Sequence, residues 1–153
     1  MVCSAKRRCE RRLASNAVAS GAGSVSMSGI VLDAGALIAL ERNNRDMWAV
    51  LKFAAARGTD VVVPSAALAQ VWRGTPRQAR LANALRYCII ASFDALARAV
   101  GELCGRTRTD DICDAQVALV AARVGDVLYT SDLTDLRRLV AACGARRPVL
   151  VQC

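Results

Sequence analysis

The chain has 153 residues, 54% of them hydrophobic, with a formal charge of +8 and no histidine. The absence of histidine excludes a Ser-His-Asp triad, an imidazole acid–base pair and a histidine-ligated zinc site, so catalysis must rest on carboxylates, thiols, amines or a bound ion. The cationic excess makes nucleic acid a natural partner. No apolar run is long enough to span a bilayer, so one soluble domain with a substantial core and no membrane association is expected.

Residues 1–28 are basic and then rich in Ser, Ala and Gly. Lys6, Arg7, Arg8, Arg11 and Arg12 stand against Glu10, a net +4 that is half of the chain's excess. The segment lacks the Leu-rich core of a secretory signal and reads as a flexible arm, with a transit peptide as the weaker alternative. Met27 stands directly before the first strand and is an alternative start, which would make the arm an extension outside the native protein. Residues 29–153 form the domain.

From Gly29 the pattern alternates. GIVLD is a buried strand, and AGALIALER a helix with apolar residues at three- and four-residue spacings. RDMWAVLKFAAARG is a second helix, ended by Gly58. DVVV is the next strand, after which Pro64 and Ser65 open the helix SAALAQVWRG, with Ser65 as its cap. Beyond the Gly74–Pro76 break come the helix RQARLANALR and the short strand CIIA. DALARAVGELCG is helical, GRTRT a basic loop, and DDICDAQVALVAARVG the most apolar helix. VLYTS is a strand, DLTDLRRLVAACG a helix, and PVLV the last strand.

Strands separated by helices imply an α/β fold whose mostly parallel sheet is covered on both faces. Ligands of such sheets bind beyond the carboxyl ends of the strands, where Asp33 and Asp132 fall. Asp111 and Asp114, three residues apart, share the first turn of one helix and its positive dipole end. Taken singly, Asp132, and either Asp110 or Asp111, also read as N-caps. Gathered at one sheet end, such carboxylates suit a hard cation such as Mg²⁺.

Seven cysteines, odd in number and without a CxxC pair, read as reduced thiols of a cytoplasmic protein, with Cys113 as core packing. Arg106 and Arg108 precede the acidic helix and are candidates to grip RNA phosphates; an ordinary solvated loop is the other reading. Arg73, Arg77, Arg80 and Arg86 read as a solvated outer face, and Trp48 and Trp72 as helix packing.

The ordered set VLDAGALIALER, VPSAALAQVWRG, TDDICDAQVALVAA and VLYTSDLTDLRRL resembles a PIN-domain protein of the VapC ribonuclease-toxin type, over Ile30 to Val151. The resemblance implies a three-layer α/β/α fold, Mg²⁺- or Mn²⁺-dependent endoribonuclease activity leaving a 5′-phosphate, homodimerisation, and inhibition by a small cognate antitoxin. It makes Asp33, Asp114 and Asp132 the catalytic and metal-binding acids and Asp111 an accessory ligand, and it sets Thr130 and Ser131 near the metal.

One position departs from the family pattern. Where a glutamate is usual, this chain has Gln70, which offers an amide oxygen to the metal or to a bound water but no negative charge. A weaker metal affinity follows. The alternative is a degenerate PIN module that binds antitoxin or RNA with weak or no catalysis. An unrelated small-ligand α/β domain is disfavoured because no Gly-rich phosphate loop is present.

Overall fold

The structure is a computed structural model in which residues 29–144 and 147–153 are described. The basic arm and Met27 lie outside these residues. Five strands form one parallel sheet in the order β3-β2-β1-β4-β5. The strands are β1 (Gly29–Leu32), β2 (Asp60–Pro64), β3 (Ile89–Ala91), β4 (Val127–Thr130) and β5 (Val149–Gln152). Parallel neighbours require crossovers, and seven helices supply them: α1 (Ala34–Glu41), α2 (Arg45–Arg57), α3 (Ser65–Val71), α4 (Ala79–Leu85), α5 (Ala97–Thr107), α6 (Ile112–Val124) and α7 (Leu133–Ala142).

The period-two geometry of a strand divides its side chains between two cores. Leu32, Val61 and Val63 pack with Leu37, Leu40, Met47, Leu51 and Leu81 of α1, α2 and α4. Val31, Val62 and Leu128 pack with Val100, Leu103, Val117, Val120, Leu136 and Leu139 of α5, α6 and α7. The expected three-layer α/β/α arrangement is thereby met. Every residue of α6 from Ala115 to Ala122 is buried, which agrees with its apolar sequence. Among the described residues no helix is long and apolar enough to cross a membrane.

Local sequence explains both ends of α2. Asn44 caps α2 through bonds from the Asp46 and Met47 N–H groups (2.9 and 3.1 Å), and Gly58 closes it at φ 65°, a left-handed conformation that suits glycine. Three details differ from the sequence expectations. The basic segment GRTRT is not all loop, since α5 continues through Thr107 and ends at Arg108 with φ 54°. Trp72 leaves the helix as the C-cap of α3 and is 41% exposed, whereas Trp48 packs as expected and donates from Nε1 to the Leu40 carbonyl at 3.2 Å.

The third concerns the start of α3. Its N-cap is Pro64, which has no side-chain acceptor, and Ser65 already lies inside the helix. The cap comes from Gln116 of α6, wholly buried, whose Oε1 accepts the Ala66 N–H at 2.9 Å. Its Nε2 donates to the Ala91 carbonyl at 3.1 Å and, more weakly, to Ser65 Oγ at 3.4 Å. One amide thus ties the central helix to α3 and β3, using each of its polar atoms. Replacing Gln116 with Leu would keep the volume but orphan a buried donor and acceptor. A loss of about 2–4 kcal/mol is expected, measurable by urea unfolding.

Candidate metal centre

The sheet order reverses at β1: β2 and β3 lie on one side of it, β4 and β5 on the other. The carboxyl ends of β1 and β4 therefore bound the crevice in which doubly wound sheets hold ligands. Asp33 leaves β1 there. Its N–H donates to the Tyr129 carbonyl of β4 at 3.1 Å, and its Oδ1 accepts the Ala36 N–H at 2.9 Å, capping α1.

Asp33 is only 7% exposed, and burial pushes its pKa above the ordinary 3.8. The Thr130 hydroxyl and the N–H groups of Ala36, Ser131 and Gly35 pull it back down. Thr130 is itself fully buried, and its Oγ1 also accepts the Asp132 N–H at 2.9 Å and lies 3.3 Å from the Asp132 carbonyl. A hydroxyl has one proton; the carboxylate is the stronger acceptor for it. Ser131 is exposed and lies against Gly35, where an added Cβ would come within 2.6 Å of the Ser131 Cβ. Glycine is what lets α1 and the β4–α7 turn approach this closely.

The other acids arrive on two neighbouring helices. Asp111 caps α6 through Oδ1, accepting the Cys113 and Asp114 N–H groups at 2.9 Å each. Asp132 caps α7 in the same way, accepting from Thr134 and Asp135 at 3.0 and 3.2 Å. The cap reading holds for Asp132 and, of Asp110 and Asp111, for Asp111; Asp33 is a cap as well. In Asp111 and Asp132 the cap uses Oδ1 and leaves the second oxygen.

Asp114 is different. It is the third residue of α6, where a capping-box side chain would reach back to the N-cap N–H. That N–H instead donates to Thr109 Oγ1 at 3.2 Å. Among the described residues the Asp114 carboxylate caps nothing, although it is half-buried. Burial first, and then the charges of Asp111, Asp33, Asp132 and Asp135, push its pKa from 3.8 to about 6. Mutual repulsion of this kind means that the three expected acids and the accessory Asp111 share one electrostatic neighbourhood centred on Asp114.

Asp135 was missed in the sequence, although a signal was present. Asp132 and Asp135 repeat the cap-and-third-residue spacing of Asp111 and Asp114. Cys153 was missed as well. It follows β5, its N–H donates to the Thr130 carbonyl at 3.1 Å, and burial followed by the Asp33 charge raises its thiol to about 11. Cys113 is half-buried and its thiol is raised by burial and then by Asp111 and Asp114, so neither cysteine is an activated nucleophile.

The remaining candidates lie elsewhere. Gln70 is exposed in a shallow depression of about 470 Å³ with Ser65, Phe93, Ile112 and Cys113, and none of the acids lines it. Arg106 acts, with Arg123, on Cys143 beyond the carboxyl end of α7, whereas the acids stand at its amino end. Arg108 is exposed, three residues before Asp111.

Among the described residues no three acidic or thiol side chains already lie close enough to ligate one ion. Magnesium does not require that arrangement, because it retains several waters and is held through one or two carboxylates. The donors are all hard oxygens, and among the described residues the charges that shift Asp114 are all negative. Both properties fit a small divalent cation.

No family model, no curated protein and no solved structure matches this chain.

The Asp114 shift has a definite sign. A carboxyl whose pKa rises on folding favours the native state below about 3.8 and withdraws that contribution as pH rises through about 6. Thermal midpoints should therefore fall between about pH 4 and 6 relative to Asp114→Asn, and Mg²⁺ should restore them above pH 6.

Proposed function

We propose that the chain is a divalent-cation-dependent endoribonuclease of the PIN type, acting in the cytoplasm as the toxin of a VapC-like toxin–antitoxin pair. What carries the reading is Asp114: a half-buried carboxylate with no capping duty, crowded by four other acids at the switch point of a parallel sheet. Like charges held together without a structural use are costly, and a cation relieves that cost. The histidine-free composition leaves a bound ion as the natural source of hydrolytic chemistry.

In this reading Asp33 and Asp114 hold Mg²⁺ or Mn²⁺, with Asp132 and the free oxygen of Asp111 as further or water-mediated ligands. When bound, the ion supplies a polarised water and neutralises charge on the phosphodiester under attack. The chain's own residues do the rest. The Thr130 hydroxyl and the N–H groups of Ser131 and Gly35 hold the Asp33 carboxylate in place and oppose the upward shift that burial imposes on it. Asp114 loses its proton above about pH 6 and becomes a ligand. Arg108, exposed just before the acidic helix, is the better placed of the two arginines to meet a flanking phosphate. Cleavage to a 5′-phosphate, a homodimer and a small antitoxin complete the proposal by resemblance.

The second reading, a module that binds RNA or antitoxin without cutting, is favoured by one observation: Gln70 is neutral and lines a depression that none of the acids lines. A labelled RNA incubated with Mg²⁺ or Mn²⁺ separates the two. Metal-dependent cleavage should fall on the order of 100-fold or more in Asp114→Asn and Asp33→Ala. Cleavage unchanged by both substitutions sinks the nuclease. An inactive parent that becomes active as Gln70→Glu establishes the second reading.

A further inference from the structure

The positive charge of the domain is concentrated in one layer. Between Glu41 and Tyr87 the chain carries eight cations against three acids, and no acid occurs between Asp60 and Asp94. From Cys88 to Cys153 cations and acids balance at eight each. The α1, α2 and α4 layer is thus basic, while the acids gather at the amino ends of α6 and α7.

Within the basic layer lies a groove of about 480 Å³, lined by Asn43, Arg45, Trp48, Lys52, Arg80 and Asn83. Arg45 and Lys52 come from α2 and Arg80 from α4, and all three are exposed. No acid lines the groove. Trp48 forms part of its wall, and its Nε1 bond to the Leu40 carbonyl at 3.2 Å anchors the indole. Asn43 and Asn83 contribute amide donors and acceptors at the rim.

We propose that this groove is an accessory binding site for single-stranded RNA, holding the substrate strand away from the scissile bond. The proposal rests on the ribonuclease reading and adds the place where the strand is gripped. Cations, an anchored aromatic ring and side-chain amides are the combination that single strands use: phosphates meet Arg and Lys, and an unpaired base finds an indole and an amide. An acidic protein segment would use the cations but has no need of the ring. The groove is also within reach of the acids. Asn43 follows α1, the helix that Asp33 caps, and eight residues at 1.5 Å each put its two ends about 12 Å apart.

The test separates binding from cutting. A fluorescent single-stranded RNA oligonucleotide is titrated with the full chain in EDTA, over a range of salt. The triple variant Arg45→Gln, Lys52→Gln, Arg80→Gln is compared with Arg98→Gln, Arg137→Gln, Arg138→Gln, which removes equal charge from the opposite layer. The groove variant should bind roughly tenfold more weakly, with a salt slope reduced by about 2, the value for three lost phosphate contacts on a single strand. The control should retain wild-type affinity. In a Trp72→Phe background, RNA should quench the remaining Trp48 emission.

Equal weakening in both triple variants, or no quenching of Trp48, overturns the groove. So does a groove variant that binds RNA normally but loses binding to polyglutamate, which assigns the surface to an acidic protein partner. Metal-dependent cleavage with unaltered binding in the groove variant sinks this site and leaves the nuclease standing. Groove-dependent binding without cleavage does the reverse.

Discussion

The acidic end of this protein depends on the pairing of β1 with β4. Both strands are parallel, so their carboxyl ends meet, and the chain order reverses between them. The reversal leaves no crossover helix over their shared end. Asp33 is fixed to this seam twice, by its N–H to Tyr129 and by its carboxylate to the Thr130 and Ser131 turn of β4. Residues almost a hundred positions apart in sequence are thereby held as one unit. The close approach of Gly35 to Ser131 belongs to the same seam, and α6 and α7 deliver the remaining acids to it from the layer below.

Much of the fold was legible because strands and helices differ in period. Buried runs such as GIVL and DVVV, separated by amphipathic helices, specify a covered parallel sheet, and the order of elements agrees with that expectation. Ends were less legible. Ser65 had the chemistry of a cap, yet Gln116, fifty residues away, performs that role for Ala66. Only the tertiary structure brings that amide into place. Arg106 looked like loop, but the helix runs on until Arg108 adopts a left-handed turn, a conformation that local propensity does not favour for arginine.

The site divides in the same way. The capping function of Asp111 and Asp132 follows from position alone. The special character of Asp114 does not, because it arises from burial and from four charges, of which Asp33, Asp132 and Asp135 are distant in sequence. Asp135 was readable from its spacing to Asp132. Cys153 was not, since only the register of β5 against β4 brings it beside Asp33.

Helices α6 and α7 both start at the carboxyl end of the sheet and run toward its amino end, so their positive dipole ends stand side by side under the acids. Two helix termini, each capped by an aspartate, partly offset the repulsion that a bare acidic cluster would suffer. On the proposed reading, an ion held here would be an exchangeable visitor whose occupancy tracks the free cation concentration around the protein. On that proposal the surroundings would tune the site: the same polypeptide would be idle where divalent ions are scarce and competent where they are plentiful.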